Sequence, residues 1–409
     1  MQNIFLYLYS FSLSFEGFQA FGVGYFSLPK LFALLYFFVA LTRFKKFFGL
    51  NRNVSYTWPL FVYYVIFTLV SVYNINYFSQ NIFLAEVFFN ILMFSLILNH
   101  SRLDYLILDR ALISFSFGGA TVAMLMLIGV GSVVDAEGRV AFMQSGINEL
   151  ALKITGAIMV FVMLLTKGYE IIRLGNSSIR KFYLIPLILF MLYTVLSSGS
   201  RTAILAIFLC VFVWFLSRVI GREGFKFIEL VKSLLLLLTV LTVVLFLAWQ
   251  SELVVNRFLG GDGVSTKELG GRAIIWASYY KLFLQNVFFG YGLSGFELEA
   301  FEIFGAVVSP HNALLEIMLY TGLVGFFVYL IFLSKIGMAV YGLWVESKLL
   351  LPSLLFVVYL GFLFSIQALG EKFCWFVLAY IVGTKLWSPK SRQYVERDKE
   401  PGKKSRVVF

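Results

Sequence analysis

The sequence predicts an all-α polytopic membrane protein with about twelve transmembrane helices and a large extramembrane loop that contains short amphipathic helices. Three observations lead there. Apolar residues make up 60% of the 409, and charged residues only 13%, about half the share in a soluble domain. Apolar runs of roughly 17–22 residues recur along the whole chain, each long enough to cross a hydrocarbon core of about 30 Å. Finally, Lys and Arg concentrate in alternate connections between these runs, as the positive-inside rule requires of a multi-pass protein.

In order, an N-terminal group of helices (1–134) contains apolar runs at 4–22, 25–41, 57–73, 82–98 and 111–131. The first has no basic n-region and no small-residue cleavage site, so it reads as a retained span. The second is weakened at its start by "SLPKLF". A central group (135–249) contains runs at 148–166, 182–198, 202–220 and 233–249. A loop of about 60 residues follows (250–311), then a C-terminal group (312–387) with runs at 312–333, 349–369 and 373–387, and a basic tail (388–409). With the N-terminus in the cytoplasm, "RFKKFFGLNRN", "TKGYEIIRLGNSSIRK", "SRVIGREGFKF" and the tail all fall on the cytoplasmic side. That side then carries about 24 of the 33 Lys and Arg. Both termini are therefore expected in the cytoplasm. The net charge of +11 is explained by these loops and by contact with anionic lipid headgroups; nothing calls for nucleic acid.

Residues 250–311 depart from the pattern of short connections, and long loops in compact proteins are usually functional. Within them Ile275, Tyr279, Phe283 and Val287 recur at helical spacing, and Trp276, Tyr279 and Tyr280 suit a membrane interface. The spacing predicts an amphipathic helix over 272–286.

Several chemistries are excluded. Cys210 and Cys374 lie inside apolar runs, without CxxC or metal spacing. No P-loop, HExxH or G-x-S-x-G motif occurs. The acids of the outer connections (Asp135, Glu137, Asp262, Glu268, Glu297, Glu299 and Glu302) form no D-x-D pair, so neither a metal nor a cofactor is expected.

The candidate functional residues are on the side where positive charge is scarce. Arg201, in "SSGSRTAIL", follows a tight turn at the start of an apolar helix. A helix N-terminus plus a guanidinium fork is a ready anion site. Arg272, in "LGGRAIIW", repeats that arrangement at the start of the amphipathic helix. Arg139 lies in an outer connection with Glu137 as its nearest acid. Asn148 reads as the N-cap of the sixth span, and Glu149 and Lys153, four apart, can pair along that helix. In "SPHNALLEIMLYTGLVG", Ser309 reads as an N-cap and Pro310 as the first helical residue. His311 then falls in the first turn, with Asn312 beside it. The helix dipole and nearby arginines disfavour imidazolium there, and a neutral imidazole suits a general base.

"SSGSRTAIL", the large loop with "GGRAIIW" and "NVFFGYGLSGF", and "SPHNALLEIMLYTGLVG", in this order, resemble the shared core of bacterial O-antigen ligases and Wzy-type O-antigen polymerases. "GRVAFMQSGINELAL" resembles the segment before that core. The resemblance covers roughly residues 135–333. It implies a GT-C-like glycosyltransferase of the bacterial cytoplasmic membrane, working on its periplasmic face without metal or nucleotide sugar. The implied donor is a glycan on undecaprenyl diphosphate. The family's histidine matches His311, which would activate the acceptor hydroxyl. Its arginines match Arg201 and Arg272 best and Arg139 less closely, and they would hold the diphosphate. The idiosyncratic, aromatic-rich first half favours a polymerase of repeat units, with a chain-length-regulating co-polymerase as a candidate partner, over a ligase to lipid A–core. A lipid-linked sugar transporter is the alternative of another class; for it, Glu16 and Glu86 would be intramembrane acids of a midplane site.

Overall fold

A computed structural model describes residues 2–18, 27–48, 54–73, 78–104, 106–134, 139–143, 145–167, 183–221, 224–225, 231, 234–235, 238, 242 and 264–387. The described residues form an all-α membrane protein. Its helices are α1 (Gln2–Ser12), α2 (Leu28–Leu41), α3 (Phe44–Phe47), α4 (Val54–Tyr73), α5 (Phe78–Leu103), α6 (Ile107–Leu127), α7 (Ile147–Lys167), α8 (Leu184–Ser197), α9 (Arg201–Val219), α10 (Val264–Gln285), α11 (Gly292–Phe304), α12 (Ala313–Ser347), α13 (Leu351–Ser365) and α14 (Lys372–Trp387). Strand pairing among these residues is confined to β1 (Ser132–Val134) against β2 (Val140–Phe142), and to Ile220–Gly221 against Gly224–Phe225. Among the described residues five helices, α4, α5, α6, α7 and α12, are long and apolar enough to cross a membrane; α2, α8, α9 and α13 are apolar but shorter. Most of the expected span at 233–249, and the whole basic tail, fall outside the described residues.

α14 is the centre of the bundle. Every residue from Lys372 to Gly383 is buried, as expected of a helix that is apolar on all faces. It packs against α5, α6, α12 and α13, while α1 packs on α2 and α6, and α4 on α12.

Two expected spans are corrected. The run 4–22 is not one helix: α1 ends at Ser12, a 3-10 turn covers Leu13–Phe15, and the chain turns at Glu16. The hydroxyls of Ser10 and Ser12 bond back to the carbonyls of Tyr7 and Tyr9, a habit that weakens helices. The run 312–333 continues to Ser347, and α12 is broken at Gly322 (φ 59°, ψ −163°). Unbroken, its 35 residues would reach about 52 Å, more than a bilayer of about 40–45 Å.

The break is filled by the turn between α10 and α11. Tyr291 N–H donates to the carbonyl of Leu319 (2.7 Å), and the N–H groups of Leu323 and Val324 donate to the carbonyls of Val287 (2.8 Å) and Phe288 (3.2 Å). The groups freed by the interruption therefore find partners, as backbone at membrane depth must. Glycine is required on both sides of this contact. A Cβ on Gly322 would lie 2.2 Å from the Phe288 oxygen, and one on Gly290 (φ 68°) 2.5 Å from the Leu319 oxygen.

Charged residues from five segments meet inside the bundle. Lys153 Nζ bonds Glu16 (2.6 Å), Glu371 (3.0 Å) and, along α7, Glu149. Lys372 bonds Glu16 (2.5 Å) and Glu86 (2.7 Å), and Lys30 reaches Glu86 at 3.3 Å. The carboxylates of Glu16, Glu149 and Glu371 are close enough together to hold a cation, and the Lys153 ammonium serves all three. Glu371 lies in the turn before α14, where burial, then the charge of Glu149, hold its carboxyl well above the usual range. The paired state of Glu16 and Glu86 accounts for acids that, in sequence, could belong to a transport path.

Candidate active site at the start of α12

The connection from α11 to α12 is held by the loop helix rather than by regular structure of its own. Trp276 Nε1–H donates to the carbonyl of Pro310 (2.7 Å), and the Tyr279 hydroxyl donates to that of Val308. These donors come from α10, whose buried face includes Tyr279, Leu282 and Phe283 while Ile274, Tyr280 and Leu284 point outward. The helical spacing of Tyr279 and Phe283 thus marks a packing face, and Trp276 at its edge fixes the backbone next to His311.

The cap of α12 differs from expectation. Asn312 is the N-cap, its Oδ1 accepting from the N–H groups of Leu314 (3.1 Å) and Leu315 (3.2 Å). Asn competes equally with Ser at this position, and Asn312 is the one adjoining the helix. Ser309 instead donates its hydroxyl to Glu316 (2.8 Å) and accepts from the N–H of His311 (3.2 Å). His311 is therefore not in the first helical turn. It stands just outside the helix with φ 50°, a left-handed conformation uncommon for a residue with a side chain and concentrated at functional sites.

His311 reaches solvent, yet packing around its ring, and then the charge of Arg272, hold the imidazole below its usual range. Both effects disfavour the imidazolium form, and the second shows that the Arg272 charge is felt at the ring. A ring kept from protonating can act as a base, and a guanidinium can hold an anion. His100 makes the opposite case. It is buried at the far end of α5, with Nδ1 3.0 Å from the Tyr36 hydroxyl and Nε2 3.0 Å from Asn3 Oδ1, so a neutral ring is satisfied at both nitrogens.

Arg272 is not at a helix N-terminus. α10 begins at Val264, because Gly270 and Gly271 weaken a helix by about 1 kcal/mol each without ending it. Arg201 is the first residue of α9, after a turn in which Ser198 Oγ accepts from Ser200 N–H and Ser200 Oγ from Ala203 N–H. Asn148 is not a cap: α7 starts at Ile147, and the Gly146 carbonyl accepts from Leu150 N–H (2.9 Å). Arg139 lies directly before β2 and is half-buried. All these elements share one end of the bundle. Gly361 sits beside both Leu152 and Thr202, which brings the start of α9 level with Lys153. Phe142 on β2 meets Phe15 edge-on (6.0 Å). Gln367 donates to the Tyr320 hydroxyl (3.2 Å).

Sequence reasoning missed Glu316. It is completely buried on the first turn of α12, and its charge, after burial, pushes the Tyr279 phenol up to about 12. The signal was present: a carboxylate within an apolar run is functional by default.

No curated protein matches the chain. Residues 186–330, which carry Arg201, Arg272, Ser309, His311 and Asn312, match the family model of the O-antigen ligases, so this third of the chain is similar to that family.

Proposed function

We propose that the protein is a membrane glycosyltransferase that takes a glycan from undecaprenyl diphosphate and joins it to a sugar hydroxyl on the periplasmic face of the bacterial cytoplasmic membrane. The observation that carries this reading is His311, held outside the helix where burial and then the charge of Arg272 disfavour imidazolium, within the segment that matches the O-antigen ligase family model. His311 accepts the proton of the acceptor hydroxyl as its oxygen bonds to the anomeric carbon. The carbon–oxygen bond to the diphosphate breaks, and the diphosphate leaves with the electron pair. Arg272, with Arg201 and Arg139, stabilises the charge that grows on its oxygens. The periplasmic placement is supported by the bias of Lys and Arg to the opposite ends of the helices.

Within this class, polymerisation of lipid-linked repeat units is the first reading, supported by the aromatic first half of a chain with 47 Phe and 22 Tyr. A chain-length-regulating co-polymerase belongs to that reading. The family's description favours a second reading, ligation of finished glycan to lipid A–core. Gene deletion followed by electrophoresis of the surface glycan separates them. Core bearing a single repeat identifies a polymerase, and bare core with lipid-linked polymer accumulating identifies a ligase. An unaltered surface glycan overturns both.

A further inference from the structure

Behind the His311 loop, at the same end of the bundle, lies a cavity of about 220 Å³. Its wall includes Glu297, Ser309, Glu316, Tyr320 and Gln367, with Phe83 and Phe296 among its aromatic faces. Glu316 is fully buried, and its two oxygens are used differently. Oε1 accepts from Ser309, while Oε2 is buried with no hydrogen-bond partner. A buried acceptor left open is unfavourable by about 1–3 kcal/mol or more for a charged group, so an open oxygen in a cavity wall marks a place for a donor.

The rest of the wall says what kind of donor. The Tyr320 ring meets Phe296 edge-on at 5.3 Å and Phe83 at 6.5 Å, and Gln367 bonds the Tyr320 hydroxyl. Aromatic faces with a carboxylate and a carboxamide suit a molecule with flat C–H surfaces and hydroxyls around its edge. The volume matches one sugar ring rather than an oligosaccharide. Two carboxylic side chains in the wall, Glu316 and Glu297, disfavour an anion. The two sides of the His311 loop therefore differ in charge, with Arg272 near the imidazole and acids in the cavity that Ser309 helps to enclose.

We propose that this cavity is a subsite for one uncharged sugar ring of the glycan substrate, with Glu316 Oε2 accepting a hydrogen bond from a ring hydroxyl and the two glutamates excluding uronic acids. The proposal rests on the glycosyltransferase reading and adds a specificity determinant to it. Occupancy is tied to His311 through the chain from Glu316 to Ser309 Oγ to the His311 N–H.

The test uses the full chain in lipid nanodiscs and saturation-transfer NMR. The probes are methyl glycosides of galactose, glucose and mannose, N-acetylglucosamine, and the uronates of the first three. At least one neutral probe is expected to bind and its uronate not to. Glu316→Ala is expected to weaken that binding about tenfold. Glu316→Gln is expected to retain the neutral probe and admit a uronate. Val307→Trp, which fills the cavity from an exposed position in its wall, is expected to block binding while leaving the buried acid in place, so a folding defect of Glu316→Ala does not decide the outcome. Binding of no neutral probe, equal binding of uronates, or binding that survives Val307→Trp overturns the subsite. If gene deletion alters the surface glycan but Glu316→Ala and Val307→Trp transfer glycan at the normal rate, the subsite fails and the enzymatic reading stands. If the sugars bind as described but deletion leaves the glycan unaltered, the enzymatic reading fails.

Discussion

Replacing Lys153 by Met tests whether the buried charges hold the two halves of the chain together. Lys153 is 1% exposed and bonds Glu16, Glu149 and Glu371. The cluster sets three lysines, Lys30, Lys153 and Lys372, against four glutamates, Glu16, Glu86, Glu149 and Glu371. Removing one partner of a buried pair destabilises by about 3–5 kcal/mol, because the other charge is left without compensation. With Glu371 favoured in its protonated form, Lys153→Met leaves two ammonium groups against the carboxylates of Glu16, Glu86 and Glu149, so its effect is expected within that range. At about 2–4 °C per kcal/mol for mid-sized domains, and less for a longer chain, the midpoint should fall by roughly 5–10 °C. Glu371→Gln is the contrasting variant. It balances three lysines with three glutamates and mimics the protonated state that burial already favours, so its effect should be about 1 kcal/mol or less. The sign with pH follows. A carboxyl whose folded pKa is raised gives up stability as pH rises through that value, so wild type should lose stability towards alkaline pH and Glu371→Gln should lose less. Intrinsic-fluorescence melting of the detergent-solubilised protein reads all three. The reasoning is refuted if Lys153→Met melts with wild type, or if Glu371→Gln is as damaging as Lys153→Met.

Other perturbations follow from the site. His311→Ala and Arg201→Ala should each abolish glycan transfer while the protein still reaches the membrane; near-normal transfer in either removes that residue from the mechanism. Arg272→Ala removes a charge that lowers the His311 pKa, so in its residual activity the acidic limb of the pH profile should move to higher pH; an unmoved limb would show that the charge is not felt there. Trp276→Phe deletes the bond to Pro310, worth about 1 kcal/mol, and should lower kcat more than it raises KM. Gly322→Ala forces a Cβ to 2.2 Å from the Phe288 oxygen and should lower both thermal stability and activity; unaltered melting would mean that the break closes readily.

The fold class was legible because lipid imposes one arithmetic on every span: length, apolarity and the sign of the flanks. Helix ends around the candidate site were less so. Ser309 and Asn312 are both good caps by type, and only the position of Glu316, which draws the Ser309 hydroxyl away, decides between them. The paired glycines before Arg272 resemble a stop signal, yet the helix runs through them. His311 and Arg272 were singled out because charge is scarce in the connections expected on that side. The cavity at Glu316 could not be foreseen, because Tyr320 and Gln367 meet only after α11, α12 and α13 are assembled. The charge cluster shows the same limit: Glu149 and Lys153 are adjacent along one helix, whereas Glu16 and Lys372 are joined only by tertiary structure.

The broken helix also sets where this protein can be recombined. Sequence patterning draws the border of the loop after His311, where the apolar run begins. Backbone pairing across Gly322 moves it: residues 287–291 and 319–324 exchange hydrogen bonds and form a single joint. A chimaera that imports a relative's loop and stops at His311 separates the two sides of that joint. The exchangeable unit ends after Val324, and the short first arm of α12 travels with the loop, not with the membrane helix whose name it shares.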